Sequence, residues 1–267
     1  MPTQQLLGAA AIVRSRDFQF VAEAGGTEVA TPVSPALGSQ LVTLNVVRIP
    51  ADGSWAPPRT ETQENVVVVY AGDGLACVGT DEREVSRGST VYAPTGQPLR
   101  LTAGPDGLTA YVWRAPLLDG RTPPAAPDRF SSLWNETTQL RNFAGMGTEV
   151  IPPEQRATMN FVFWPGTGSC QMCLHCGVQQ PGETFSVHLH THSDEAFIAF
   201  EGIGQMYLAD HWVDVEAGDV LFAEPMVLHG ARNPHTGPDA QRFVTCGGPI
   251  PWDPFLYDAA GVSTQVR

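Results

Sequence analysis

All seven histidines of the chain, His175, His188, His190, His192, His211, His229 and His235, lie beyond residue 174, so chemistry that needs imidazole belongs to the C-terminal part of the sequence. The densest run is Val187-His188-Leu189-His190-Thr191-His192-Ser193-Asp194-Glu195. On a β-strand, side chains two apart share a face roughly 6.6 Å apart along it, so His188 and His190 can reach one metal ion while Leu189 points away. A short return brings Glu195 back from the start of the next strand, and His229 supplies a fourth ligand from a neighbouring strand. Mixed nitrogen and oxygen ligation suits a divalent transition metal, one per chain, with Fe or Mn favoured over Ni, Co or Zn. Four protein donors leave an octahedral ion about two positions for substrate, water or O2, whereas a structural zinc site is closed. Three neutral imidazoles and one carboxylate leave a net charge of about +1, which attracts an anionic or enolate-like oxygen.

The same alternation nominates acid/base partners. His192 continues the series from His190, Glu201 continues it from Glu195, and His175 precedes them on a strand whose register decides whether it or Cys176 lines the cavity; these three are the candidate catalytic residues. His211 in its polar turn and His235 beside Pro234 are expected at the surface. In Cys170-x2-Cys173-x2-Cys176, thiols three apart on a strand face opposite ways, so buried reduced thiols are expected and not a cluster. All 15 basic residues are arginine, and the absence of lysine removes amine nucleophiles and Schiff-base chemistry. Asn135-Glu136-Thr137 has the form of a glycosylation sequon, without consequence in a cytosolic protein.

Such residues need a scaffold of strands. With Gly 27 and Pro 23, breakers recur throughout, and short runs rich in β-branched and aromatic residues lie between them: Leu41–Val47, Asn65–Tyr70, Leu108–Trp113, Ala196–Phe200 and Gly218–Phe222. This pattern predicts an all-β sandwich or barrel. The stretch from Pro123 to about Pro153 has few β signals and is expected to connect two domains, with a helical turn at Ser131–Glu136. Spacing also repeats. Gly53, Gly72, Gly88 and Pro94 in the first half are echoed by Gly182, Gly202, Gly218 and Pro225 in the second, as two copies of one barrel would require.

The series Gly182-x5-His188-x-His190-x4-Glu195-x6-Gly202 resembles the first cupin motif at every defined position. Gly218, Pro225, His229 and Asn233 resemble the second, although the turn Pro225–His229 lacks the usual glycine. The first half resembles the same module with its metal site erased, since Arg59, Glu61, Asn65 and Leu99 stand where a metal-binding cupin has its ligands. The resemblance implies a bicupin: two tandem cupin (double-stranded β-helix, jelly-roll-like) barrels. Its divisions are an N-terminal arm (1–30), a degenerate, metal-free barrel (31–122), an inter-domain connection (123–160), a metal-binding barrel (161–257) and a C-terminal tail (258–267). Among bicupins the layout is similar to the ureidoglycine aminohydrolase group, through the Ala11-Ile12-Val13 arm, the degenerate first barrel and the run Met206–Asp219. That group typically holds manganese through Glu-x-His, a later His and a Gln, and here the positions give His188, His190, Glu195 and His229.

Composition narrows the partners. A net charge of -13 offers no basic stripe for nucleic acid and repels anionic membrane surfaces. Leu6–Val13 is too short for a signal or a membrane span, so a cytoplasmic protein is expected. That apolar arm is expected to cover a sheet edge of the other barrel or of a second subunit, and a homodimer is favoured. The expected activity is metal-dependent turnover of a small polar or anionic metabolite by dioxygenase or oxidative-cleavage chemistry. An aminohydrolase-like hydrolase and a non-catalytic small-molecule-binding cupin are the alternatives.

Overall fold

The computed structural model describes residues 10–58, 62–122, 127–135, 139–143 and 145–262. In chain order the strands are β1 (Ala10–Val13), β2 (Val21–Ala22), β3 (Glu28–Val33), β4 (Thr43–Ile49), β5 (Ser54–Trp55), β6 (Gln63–Val78), β7 (Asp81–Ser86), β8 (Ser89–Ala93), β9 (Leu99–Pro116), β10 (Phe130–Ser132), β11 (Gln139–Phe143), β12 (Ala157–Phe163), β13 (Leu174–Gln179), β14 (Asp194–Glu201), β15 (Ile203–Leu208), β16 (His211–Glu216), β17 (Val220–Ala223), β18 (His229–Arg232) and β19 (Phe243–Ile250), followed by the short helix α1 (Pro254–Ala259). The fold is all-β. One sheet of nine strands runs β10-β8-β6-β9-β4-β3-β2, with β5 and β7 paired onto it, and a sheet of seven runs β1-β17-β14-β19-β13-β12-β11. A third sheet, β16-β15-β18, lies with the second half.

Alternation explains why the strands are apolar on both faces. Val66 and Val68 of β6 enter a core shared between the two large sheets, together with Trp113, Phe163 and Ile198, while Val67 and Val69 enter a core confined to the first half. In β14, Ala196, Ile198 and Phe200 join the shared core, and Phe197 and Ala199 join a core inside the second half. In β13, Leu174 and Cys176 take the shared side, which leaves His175 and Gly177 facing the interior of the second half. Polar bonds cross the shared core as well: Tyr111 Oη donates to the Gly218 carbonyl at 2.9 Å and Trp113 Nε1 to the Ala196 carbonyl at 2.8 Å.

Several elements differ from the sequence pattern. Gly72 does not end a strand. β6 runs on through it and bends, with a positive φ of 79°, because a Cβ there would meet the Gly107 carbonyl at 2.0 Å. Ser131–Ser132 is not helical; it pairs with the free edge of β8, and the serine hydroxyls then hold the following turn by accepting from Trp134 N and Asn135 Nδ2. Glu136 lies outside the described residues, as do Arg59, Glu61 and Pro123–Ala126. Only Cys176 of the cysteine run is in a strand, since β13 begins at Leu174. The stretch between the halves carries β10, paired to the first-half sheet, and β11, paired to β12 of the second.

The N-terminal arm takes the edge of the opposite half: β1 pairs antiparallel with β17, Ala10 opposite Ala223 and Val13 opposite Val220. Arg14 Nη1 then reaches the buried Asp219 carboxylate at 2.7 Å, and Ser15 N–H donates to the other oxygen at 2.9 Å. Among the described residues no helix is long and apolar enough to cross a membrane.

Candidate metal centre

His188 and His229 face each other across an isolated bridge, with mutual N–H to carbonyl bonds of 2.9 and 2.8 Å. His188 and His190 do not lie on a regular strand, as the alternation predicted. They occupy an extended segment, and the chain bends at Thr191–His192 before β14 begins with Asp194 and Glu195. The neighbouring turn supports that segment, since Met226 N–H donates to the His190 carbonyl at 2.7 Å, and Met226 itself takes a positive φ of 70° where a glycine was expected.

Each imidazole is fixed through Nδ1. His188 Nδ1 donates to the Ser186 carbonyl (3.0 Å), His229 Nδ1 to the Val227 carbonyl (2.8 Å), and His190 Nδ1 lies 2.8 Å from Asp253 Oδ2. All three Nε2 atoms therefore turn toward Glu195, whose Oε2 is 2.9 Å from His190 Nε2 and 2.6 Å from His229 Nε2. Donor atoms of His188, His190, Glu195 and His229 lie within 4.8 Å of one another. Buried His190 Nε2, His229 Nε2 and Glu195 Oε2 have no hydrogen-bond partner of proper geometry. Buried polar atoms left unpaired are costly, and a cation bound by all four groups removes the cost, so the residues fit a divalent metal. Among the described residues this is the one such cluster, and it lies in the second half.

Burial and the facing charges move the titration of His188, His190 and Glu195 in different directions. Burial pushes His188 down to about 3, helped by its two imidazole neighbours. Burial acts the same way on His190, but Glu195 and Asp253 outweigh it and hold that imidazole up at about 9. Burial alone would raise Glu195; the facing His229 and His190 hold it well below the usual carboxylate range.

The candidate acid/base residues separate. His175 lines the cavity beside the ligands, is buried, and places Nε2 3.0 Å from Tyr257 Oη. His192 is exposed and does not join the cavity, because the chain bends directly after His190. Glu201 also stays outside. A register shift between Ala199 and Glu201 breaks the alternation, and its carboxylate instead bridges Arg242 (2.7 Å) and Arg87 (3.1 Å). In the first half, Leu99 is buried in an apolar core and Asn65 is buried with one amide oxygen unpaired. His211 is exposed and sits beside Asp210.

Two residues of the site escaped the sequence reading, Asp253 and Tyr257. Both follow the last strand. Asp253 caps α1 by accepting from Phe255 N–H at 3.0 Å while its other oxygen orients His190, and Tyr257 in that helix meets His175 and Cys173 Sγ (2.9 Å). The Asp253-Pro254 pair was the available signal, since it marks a helix start.

Residues 178–244 match the family described as cupin domain. No sequence match is found among curated proteins. Three solved structures illustrate the likeness in fold. The protein described as a putative glyoxylate induced protein from Pseudomonas aeruginosa has a TM-score of 0.74 at 14% identity, covering 95% of this chain and 94% of that one. Protein Ylba from E. coli gives 0.68 at 15% identity over 91% and 92%. A serine-to-alanine mutant of Bacillus subtilis oxalate decarboxylase gives 0.67 at 11% identity over 91% and 77%.

Proposed function

We propose that the chain is a metal-dependent enzyme with one mononuclear centre, held by His188, His190, Glu195 and His229, that transforms a small molecule by dioxygenase or oxidative-cleavage chemistry. The observation that carries this reading is the convergence of three Nδ1-anchored imidazoles and one carboxylate at the wall of a cavity. A divalent transition metal supplies a Lewis-acidic, redox-capable centre with positions left over from its protein donors. The chain's own part is to fix the donors through Ser186, Val227 and Asp253, and to surround the reacting molecule with apolar side chains that exclude water.

Hydrolysis of the ureidoglycine aminohydrolase kind would call for a proton-transfer group beside the centre. Among the described lining residues, His175 and Cys246 are the titratable side chains besides the four donors. The His175 Nε2 is engaged by Tyr257, and burial pushes the imidazole down to about 3 and the Cys246 thiol well up. This favours the oxidative reading. The bicupin layout belongs to the same proposal: Pro35–Gly38 and Pro165–Gly168 form matching turns, each followed by a serine whose hydroxyl donates to a carbonyl three residues on.

The test is oxygen uptake and ammonia release by protein reconstituted with Fe(II) or Mn(II), over a panel of enolisable and ureido compounds. Oxygen uptake that requires the metal and disappears in His229→Ala is expected. Ammonia release without oxygen uptake would replace the oxidative reading with the hydrolytic one.

A further inference from the structure

The wall of the cavity is unlike its metal end. Phe143, Met159, Phe185, Phe197 and Leu256 line it, and glycines stand at 177 and 247. A Cβ on Gly177 would meet Phe185, Thr245 and Gln179 within 2.8 Å, and one on Gly247 would meet the Ala196 carbonyl at 2.3 Å. The uncharged polar groups of the wall already have partners, His175 with Tyr257 and Thr245 Oγ1 with the Gln179 amide at 3.4 Å. None of the described lining residues is an arginine.

Charge around the centre is already balanced. Glu195 faces the imidazoles, and the Asp253 carboxylate lies 2.8 Å from His190 Nδ1 on the far side of the same ring. Together the two carboxylates offset both charges of a divalent ion, so the excess positive charge expected from Glu195 alone is cancelled through His190. A ligand with two negative charges would enter an apolar cavity with no cationic side chain among the described lining residues to meet the second one, and desolvating it there is unfavourable.

We infer that the cavity takes a compact chelating molecule with at most one negative charge and an apolar body, and that it discriminates against small dianions. This rests on the reading of the four-residue cluster as a metal centre. It also separates this chain chemically from the oxalate decarboxylase whose fold it shares, because oxalate is a dianion.

Pyruvate and oxalate form a matched pair of probes: each has six heavy atoms, each chelates through adjacent oxygens, and a methyl group in one replaces a charged oxygen in the other. The full-length protein is loaded with Co(II), desalted and assayed for cobalt. Each probe is then titrated while the visible cobalt spectrum is followed, and both are titrated against aqueous Co(II) in the same buffer. The preference for oxalate over pyruvate is expected to fall at least about tenfold below that of the aqueous ion. Met159→Arg, which adds a cation to the half-buried edge of the wall, is expected to move the ratio back toward the aqueous value. Cobalt retained with an oxalate preference equal to that of the free ion overturns the ligand class alone, and an unchanged ratio in a folded, cobalt-loaded Met159→Arg overturns the charge argument. Protein that retains no cobalt overturns the metal reading and this inference with it.

Discussion

The Asp194 carboxylate accepts the backbone N–H of Leu41 at 2.6 Å, so the strand that carries Glu195 is fastened, one residue away from that ligand, to a loop of the first half. Gln40 N–H donates to the same oxygen at 2.8 Å, and Ser39 Oγ lies 3.0 Å from it. A counterpart runs the other way. Glu64 of β6 accepts from Tyr92 Oη and faces the backbone N–H groups of Gln171, Met172 and Cys170; burial nonetheless pushes its carboxyl above the usual range. Each half thus grips a loop of the other with one buried acid, and the first half, which has no histidine, bears on the cluster of His188, His190, Glu195 and His229 through Asp194.

Replacing Asp194 with alanine leaves buried N–H groups without an acceptor. A loss of about 3 kcal/mol or more in urea unfolding is expected, with weaker metal binding, whereas Ser39→Ala is expected to cost only about 1 kcal/mol. An Asp194→Ala protein within about 1 kcal/mol of the parent would show that the clasp carries no weight.

His188→Ala and His229→Ala each remove one of four donors from a centre that the cores do not depend on. Elemental analysis is expected to find about one transition metal per chain in the parent and little in either variant, with far-UV circular dichroism unchanged. Two metals per chain, or unfolding of both variants, would contradict the assignment.

Asp253 serves two purposes that substitution can separate. Asn at this position keeps an acceptor for Phe255 N–H but not the carboxylate beside His190. Metal affinity is expected to fall by about 10–100-fold in Asp253→Asn with the melting temperature nearly unchanged. Unchanged metal affinity in Asp253→Asn, with stability lost only in Asp253→Ala, would mean that the residue acts only as a cap.

His175 should leave a mark on the acid limb of stability. Burial lowers its pKa from 6.5 to about 3, so the unfolded chain binds a proton there that the folded chain does not. Its contribution is whole above 6.5 and shrinks as pH falls toward 3, at up to about 1.4 kcal/mol per pH unit. In His175→Phe, which can still pack on Phe161 and Tyr257, the stability curve is expected to flatten across that window. A curve parallel to the parent's from pH 3 to 6.5 would refute the buried, neutral imidazole.

What was legible in the sequence was the part governed by local spacing. The convergence of four residues could be read because His188, His190 and Glu195 sit within one short segment and His229 opens the strand that bridges to it. Alternation failed where the backbone leaves the regular pleat: at the bulge before Glu201, at the bend carrying His192, and along β6, where Gly72 bends a strand without ending it. Asp253 and Tyr257 were hidden for another reason. Their partners, His190 and His175, are distant in sequence, and no local pattern records a contact that only tertiary packing creates.

The pairing of β1 with β17 joins Ala10 to Ala223 and so imposes an order on the making of the protein. During synthesis at roughly 5–20 residues per second, β1 precedes its partner by on the order of ten to forty seconds. For that interval Ala11 and Ile12 have no sheet to enter, although they end up buried. Until β17 has left the ribosome, the second-half sheet also lacks its outer pair of strands. The first half can form its own core in the meantime, but the seven-stranded sheet can be completed only when the earliest described strand returns to meet one of the last.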